Sequence, residues 1–177
     1  MNERRRFSSA YERACERSNA VAAIRVPRNG ALGAQALALV DALAGADRRR
    51  VQEASQRLLD EFCKILGVPP LQVEVRGKRP ANRYGELHGL YTPASTRARC
   101  DRVQVWMYTA RRQQVVAFKT FLRTLLHELC HHLDYEHLKL GCSLHTEGFY
   151  KRESSLVHAA LPSAKAAPAS AASQNDG

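Results

Sequence analysis

Cysteine is scarce and unpatterned in this chain. Its five cysteines, Cys15, Cys63, Cys100, Cys130 and Cys142, are odd in number, scattered, and nowhere arranged as CxxC. That excludes a disulfide framework as the basis of the fold and leads us to expect a reduced, cytoplasmic protein. No apolar run is long enough to cross a bilayer, so no membrane partner is expected. The opening stretch, MNERRRFSSAYERACERSNA, lacks the apolar core of a secretory leader and supports the same location. No internal repeat is visible. Acid is also short: 17 Asp and Glu face 27 Lys and Arg, a formal net charge of +10. The imbalance is concentrated between Arg76 and Arg112, where nine basic residues meet only Glu86 and Asp101, a local net of +7. Such a stripe would attract phosphates, DNA being the candidate partner, or an acidic protein surface. A solvated, arginine-rich surface is the plain alternative.

What is present suits a globular protein. At 177 residues, 45% hydrophobic and 25% charged, the chain is long enough for one domain with a real core. Residues 1–69 read as a helical part. Its best segment runs from Asp47, a plausible N-cap, to Leu66, with Val51, Ala54, Leu58, Phe62 and Ile65 forming one apolar stripe before Gly67 and Pro69-Pro70 stop it. An earlier Ala-rich helix spans about Ala31 to Leu43. From Pro70 the period changes. LQVEV (71–75) and RVQVWMY (102–108) alternate as strands do, and GELHGLYTP (85–93) reads as a third, shorter strand. A long amphipathic helix follows, carrying Phe118, Leu122, Leu125, Leu129 and Leu133 and ending at Gly141, and a further helix after His145 contains GFYKRESSLVHAAL. Helices, a small sheet and more helices make an α+β fold, with residues 70–161 completing the same compact domain. The tail, 162–177, is Pro-, Ala- and Ser-rich and is expected to be disordered.

Five of the seven histidines fall between His127 and His145. His127-Glu128-Leu129-Cys130-His131 is an HExxH motif on the amphipathic helix. Imidazoles four residues apart project from one helical face and can reach one Zn2+ ion, while Glu128 is turned about 100° away. Glu128 can then work as general base and acid on water that the ion has made acidic. A catalytic zinc usually takes three protein ligands. His132 and His137 point away from the first pair, which leaves His145, Glu147 and Glu153 as candidates for the third; geometry alone allows each. Tyr91, Tyr108, Tyr135 and Tyr150 are candidate oxyanion stabilisers, with packing the simpler role for each. Asp134 is either an outer partner of a ligand histidine or, more simply, a solvated helix charge.

At these residues the sequence resembles the SprT-like zinc metallopeptidases, a branch of the zincins. That family follows HExxH with a loop of about a dozen residues and then HGxxF or HGxxW. Here thirteen residues separate HELCH from His145-Thr146-Glu147-Gly148-Phe149, so the histidine and the aromatic keep their places while Thr146 replaces the glycine. The resemblance covers roughly residues 70–158. It implies a zincin-like metallopeptidase domain with N-terminal helices, a small, mostly antiparallel sheet, the HExxH helix and a C-terminal helix. It implies His127, His131 and His145 as zinc ligands and Glu128 as the catalytic residue, hydrolysing protein or peptide substrates. HGLY (88–91) and RVQVWM (102–107) look like the family's paired strands, one of them the edge along which an extended substrate lies. Some members add a Cys-rich ribbon and act on proteins crosslinked to DNA; no such ribbon occurs here. The alternative is a nucleic-acid-associated protein whose zinc is structural or regulatory.

Overall fold

In the computed structural model the described residues are 3–27, 30–83, 85–95 and 99–161, and the tail from 162 lies outside them. Three helices come first, α1 (Glu3–Asn19), α2 (Gly30–Ala44) and α3 (Arg48–Leu66). The helical reading of residues 1–66 is interrupted: residues 21–27 run without helix up to Pro27, whose ring disfavours helix in the residue before it. Within this stretch Ile24 is buried in the core. α3 begins and ends as its sequence dictates. Asp47 Oδ1 accepts from the amides of Arg49 and Arg50 at 2.9 and 3.1 Å, and Gly67 closes the helix with a left-handed φ of 64°. Val51, Ala54, Leu58 and Phe62 are fully buried.

The sheet is built from β1 (Gln72–Lys78), β4 (Gly89–Thr92) and β5 (Arg102–Tyr108), in the order β1-β5-β4. A two-stranded ribbon, β2 (Ala81–Asn82) and β3 (Gly85–Glu86), lies between β1 and β4 in the chain. The single strand expected over 85–93 is therefore two pieces in different sheets, parted at Leu87 and His88, and β3 opens on Gly85, whose φ of 142° only glycine adopts readily. The sheet also departs from a mostly antiparallel one. β4 pairs antiparallel with β5 over four residues, but β1 pairs parallel with β5 over six. A parallel pair needs a connection of about a dozen residues or more, and the ribbon and β4 supply it.

Val73 and Val75 of β1 and Val103, Val105 and Met107 of β5 face the core. The outer edge of β1 is covered by two glutamines one turn apart on α3. Gln56 donates to Leu71 O and accepts from Val73 N at 2.9 and 2.8 Å, while Gln52 donates to Val73 O and accepts from Val75 N. Side-chain amides thus satisfy the groups that a further strand would pair. β4 is the other edge, with no strand beyond it among the described residues.

α4 (Phe118–Glu136) and α5 (Glu147–Ala160) close the fold. Phe121, Leu122, Leu125, Leu126, Leu129 and Leu133 of α4 share the core with Phe149 and Leu156 of α5. α4 ends about a turn before Gly141, and His137, expected on the helix, is instead its exposed C-cap. Thr146 caps α5, its Oγ1 accepting from Phe149 N at 3.2 Å, which gives the residue at the family's glycine position a task. Gly148 is needed where it stands: a β-carbon there would strike Ser18 and Asn19 at the end of α1. All five cysteines are free thiols, and no helix among the described residues is long and apolar enough to cross a membrane.

Candidate metal centre

α4 carries His127 and His131 one turn apart on the face turned towards the loop that follows the helix, their ring centroids 5.1 Å from each other. That loop brings His145 between them. His145 Nε2 lies 3.1 Å from His127 Nε2 and 3.0 Å from His131 Nε2. Nitrogens bound tetrahedrally to zinc at 2.0–2.1 Å stand about 3.3 Å apart, and the ligand atoms of the three histidines all lie within 4.8 Å of one another, so they could hold a metal ion. Phe149, fully buried, packs beneath all three, with centroid distances of 4.9, 4.7 and 5.0 Å to His127, His131 and His145.

The other ring nitrogens are held from behind. His127 Nδ1 lies 2.9 Å from Glu153 Oε2, and Glu153 Oε1 accepts from Arg123 Nη1 at 2.6 Å. His131 Nδ1 lies 2.7 Å from Ser143 Oγ. These contacts aim the Nε2 atoms at the common point. Burial, reinforced by its two histidine neighbours, lowers the His131 pKa to about 4, and burial with His127 lowers that of His145 against the opposing influence of Glu153 and Asp134. Both shifts favour the neutral imidazole, the form that can donate a lone pair. Of the acids left open as third ligand, Glu153 spends its carboxylate on His127 and Arg123, and burial, which alone would raise its pKa, is outweighed by them. Glu147 is exposed and pairs with Lys151.

Glu128, a residue only 6% exposed, stands beside this group. Burial is the chief cause that raises its pKa to about 7, against the opposing influence of His127 and a hydrogen bond from the Tyr91 backbone. Its carboxylate packs on Gly89 at the start of β4, where a side chain would collide with it. A cleft of about 410 Å³ opens here, lined by His88, Gly89, Arg123, Thr124, His127, Glu128, Tyr150 and Glu153.

The remaining candidates sort themselves by contact. His132 is buried, Nδ1 on Asp101 at 2.6 Å and Nε2 on Pro69 O at 2.9 Å. The Tyr91 hydroxyl donates to Asp101, and the Tyr135 hydroxyl accepts from Ser143 N. Tyr108 does not line the cleft, whereas half-exposed Tyr150 does. Asp134 is not a solvated charge. It is completely buried, accepting from Ser143 Oγ at 2.7 Å and from Arg152 at 3.0 and 3.1 Å. Ser143 and Arg152 drew no attention in the sequence, because a loop serine and a helix arginine carry no motif. The basic stripe is broken up: Arg79 is buried on Glu86, Arg76 pairs with Glu74, and Arg97 lies outside the described residues.

No family model, curated protein or solved structure matches the chain. What the centre can do follows from its own geometry.

Proposed function

We propose that the protein is a zinc-dependent metallopeptidase of SprT-like type that hydrolyses peptide bonds of protein substrates in the cytoplasm. The observation that carries this reading is the meeting of three Nε2 atoms beside a buried carboxylate, at the open edge of a sheet. His127, His131 and His145 would hold the ion, which when bound supplies Lewis acidity and makes water acidic enough to attack a carbonyl. Glu128 takes a proton on its carboxylate and passes it to the leaving amine; a pKa near neutrality suits both transfers. β4 offers its backbone to an extended substrate, which places the scissile bond by strand pairing rather than by side-chain identity. Purified protein should then carry about one zinc per chain and cleave casein. Glu128→Gln should keep the metal and lose cleavage, and native protein devoid of zinc would overturn the proposal.

The second reading, a nucleic-acid-associated protein with a structural or regulatory zinc, draws on exposed Lys78, Arg102, Arg111 and Arg112. It requires a DNA affinity that falls steeply with salt, survives Glu128→Gln and accompanies no cleavage of any protein. A protease stimulated by DNA would show both behaviours.

A further inference from the structure

We propose that Asp134 positions His131 through the hydroxyl of Ser143, with Arg152 holding Asp134 in place for that task. This rests on the reading of the three histidines as metal ligands and adds to it a residue chain that the HExxH pattern does not contain.

The hydrogen bonds allow one direction of donation. Arg152 places Nε and Nη2 on the two oxygens of Asp134 at 3.0 and 3.1 Å, a two-pronged pair that engages both oxygens as acceptors and opposes the burial that raises the Asp134 pKa. Ser143 has one hydroxyl proton, and it goes to Asp134 Oδ2 at 2.7 Å. Ser143 Oγ, 2.7 Å from His131 Nδ1, must then accept from the ring. That fixes His131 as the Nδ1–H tautomer and leaves the lone pair on Nε2, facing His145. His127 reaches the same state by a different route, directly on Glu153. Two ligands with different outer partners are thereby set to one tautomer.

Ser143 also lies on the loop that delivers His145. Its amide donates to the Tyr135 hydroxyl at 3.3 Å, and Leu140 N donates to Asp134 O at 2.8 Å, so the loop is tied to the last turns of α4. One side chain thus orients the second histidine and anchors the approach of the third. Arg152 is fully buried, and its remaining donors are absorbed at the end of α1: Nη1 gives to Ser18 O and Val21 O at 2.6 and 2.7 Å, and Nη2 to Ser18 Oγ at 3.1 Å. The carbonyl-rich end of that helix favours a cation there. Ser18 Oγ in turn meets Thr146 Oγ1 at 2.8 Å, next to His145. The junction after α1 is therefore part of the support of the metal-binding loop.

A purely structural ion pair between α4 and α5 would not involve Ser143, and Ser143→Ala leaves that pair intact. In metal-free full-length protein, long-range 1H–15N NMR of the His131 ring should show the Nδ1–H tautomer. Ser143→Ala should mix the tautomers, and Ser143→Thr should restore them. Zinc competition titrations should show Ser143→Ala binding on the order of 10–100-fold more weakly, with Ser143→Thr near the parent. Ser143→Ala that keeps both the tautomer and the affinity within about twofold would overturn the proposal. A parent with the Nδ1–H tautomer, sensitive to Ser143→Ala, but with no proteolysis would remove the peptidase reading and leave the relay standing.

Discussion

Gly89 and Glu128 face each other so closely that a β-carbon on Gly89 would overlap the Glu128 side chain. The edge strand and the carboxylate proposed as general base are thus fitted to one another. Gly89→Ala should displace the carboxylate, which is the far end of a flexible chain, and leave the backbone where it is. We expect cleavage to fall by about a hundredfold or more, because general acid–base catalysis is worth that much. Zinc content and thermal midpoint should stay close to the parent's. Loss of zinc along with activity would show instead that Gly89 supports the ligands.

Arg152 is the single cation facing buried Asp134 among the described residues. Replacing it by methionine keeps much of the volume and leaves the carboxylate uncompensated in the interior. Such losses cost about 3–5 kcal/mol. Urea unfolding of Arg152→Met should show a loss of that size, and Arg152→Met combined with Asp134→Leu should recover a large part of it.

Thr146 holds the first turn of α5 by accepting from Phe149 N. Thr146→Ala should lower stability by about 1 kcal/mol, whereas Thr146→Gly, the residue of the resembled family, should cost less. Thermal unfolding of the two variants gives the order; equal midpoints would mean that the cap contributes little.

Asp101 gathers Tyr91 Oη, Ala94 N and His132 Nδ1. Burial alone would raise its pKa, but these three bonds outweigh it and the net shift is downward. A carboxylate held lower in the folded than in the unfolded state adds stability above its unfolded pKa, about 4, and that contribution disappears as pH falls through the folded value. Asp101→Asn should be less stable than the parent at pH 6, and the gap should narrow towards pH 3. A gap that stays constant would assign Asp101 no part in acid unfolding.

The part of the site that obeys a helical period could be read directly: His127, Glu128 and His131 are local, and α4 carries them as their spacing requires. His145 needed more, because a loop of thirteen residues has no period: geometry left it level with Glu147 and Glu153, and the preference of zinc for imidazole together with the resemblance favoured it. The burial of Asp134, against the plainer expectation of a solvated charge, has no local sign, since its partners Ser143 and Arg152 are 9 and 18 positions away and Arg152 in turn reaches back to Ser18. The parallel pairing of β1 with β5 was likewise invisible. A strand's alternation is the same whichever way its neighbour runs. Helices α2 and α3 lay open to reading because caps and apolar stripes are local signals.

Gln52 and Gln56 have a consequence for how copies of the chain meet. With one flank of the sheet sealed by these amides, a second copy that adds by backbone pairing is left with β4. That is where Glu128 sits, so self-association through strands would shut the cleft. If the proposed peptidase reading holds, crowded molecules would act as each other's competitive inhibitors, and dilution would restore access.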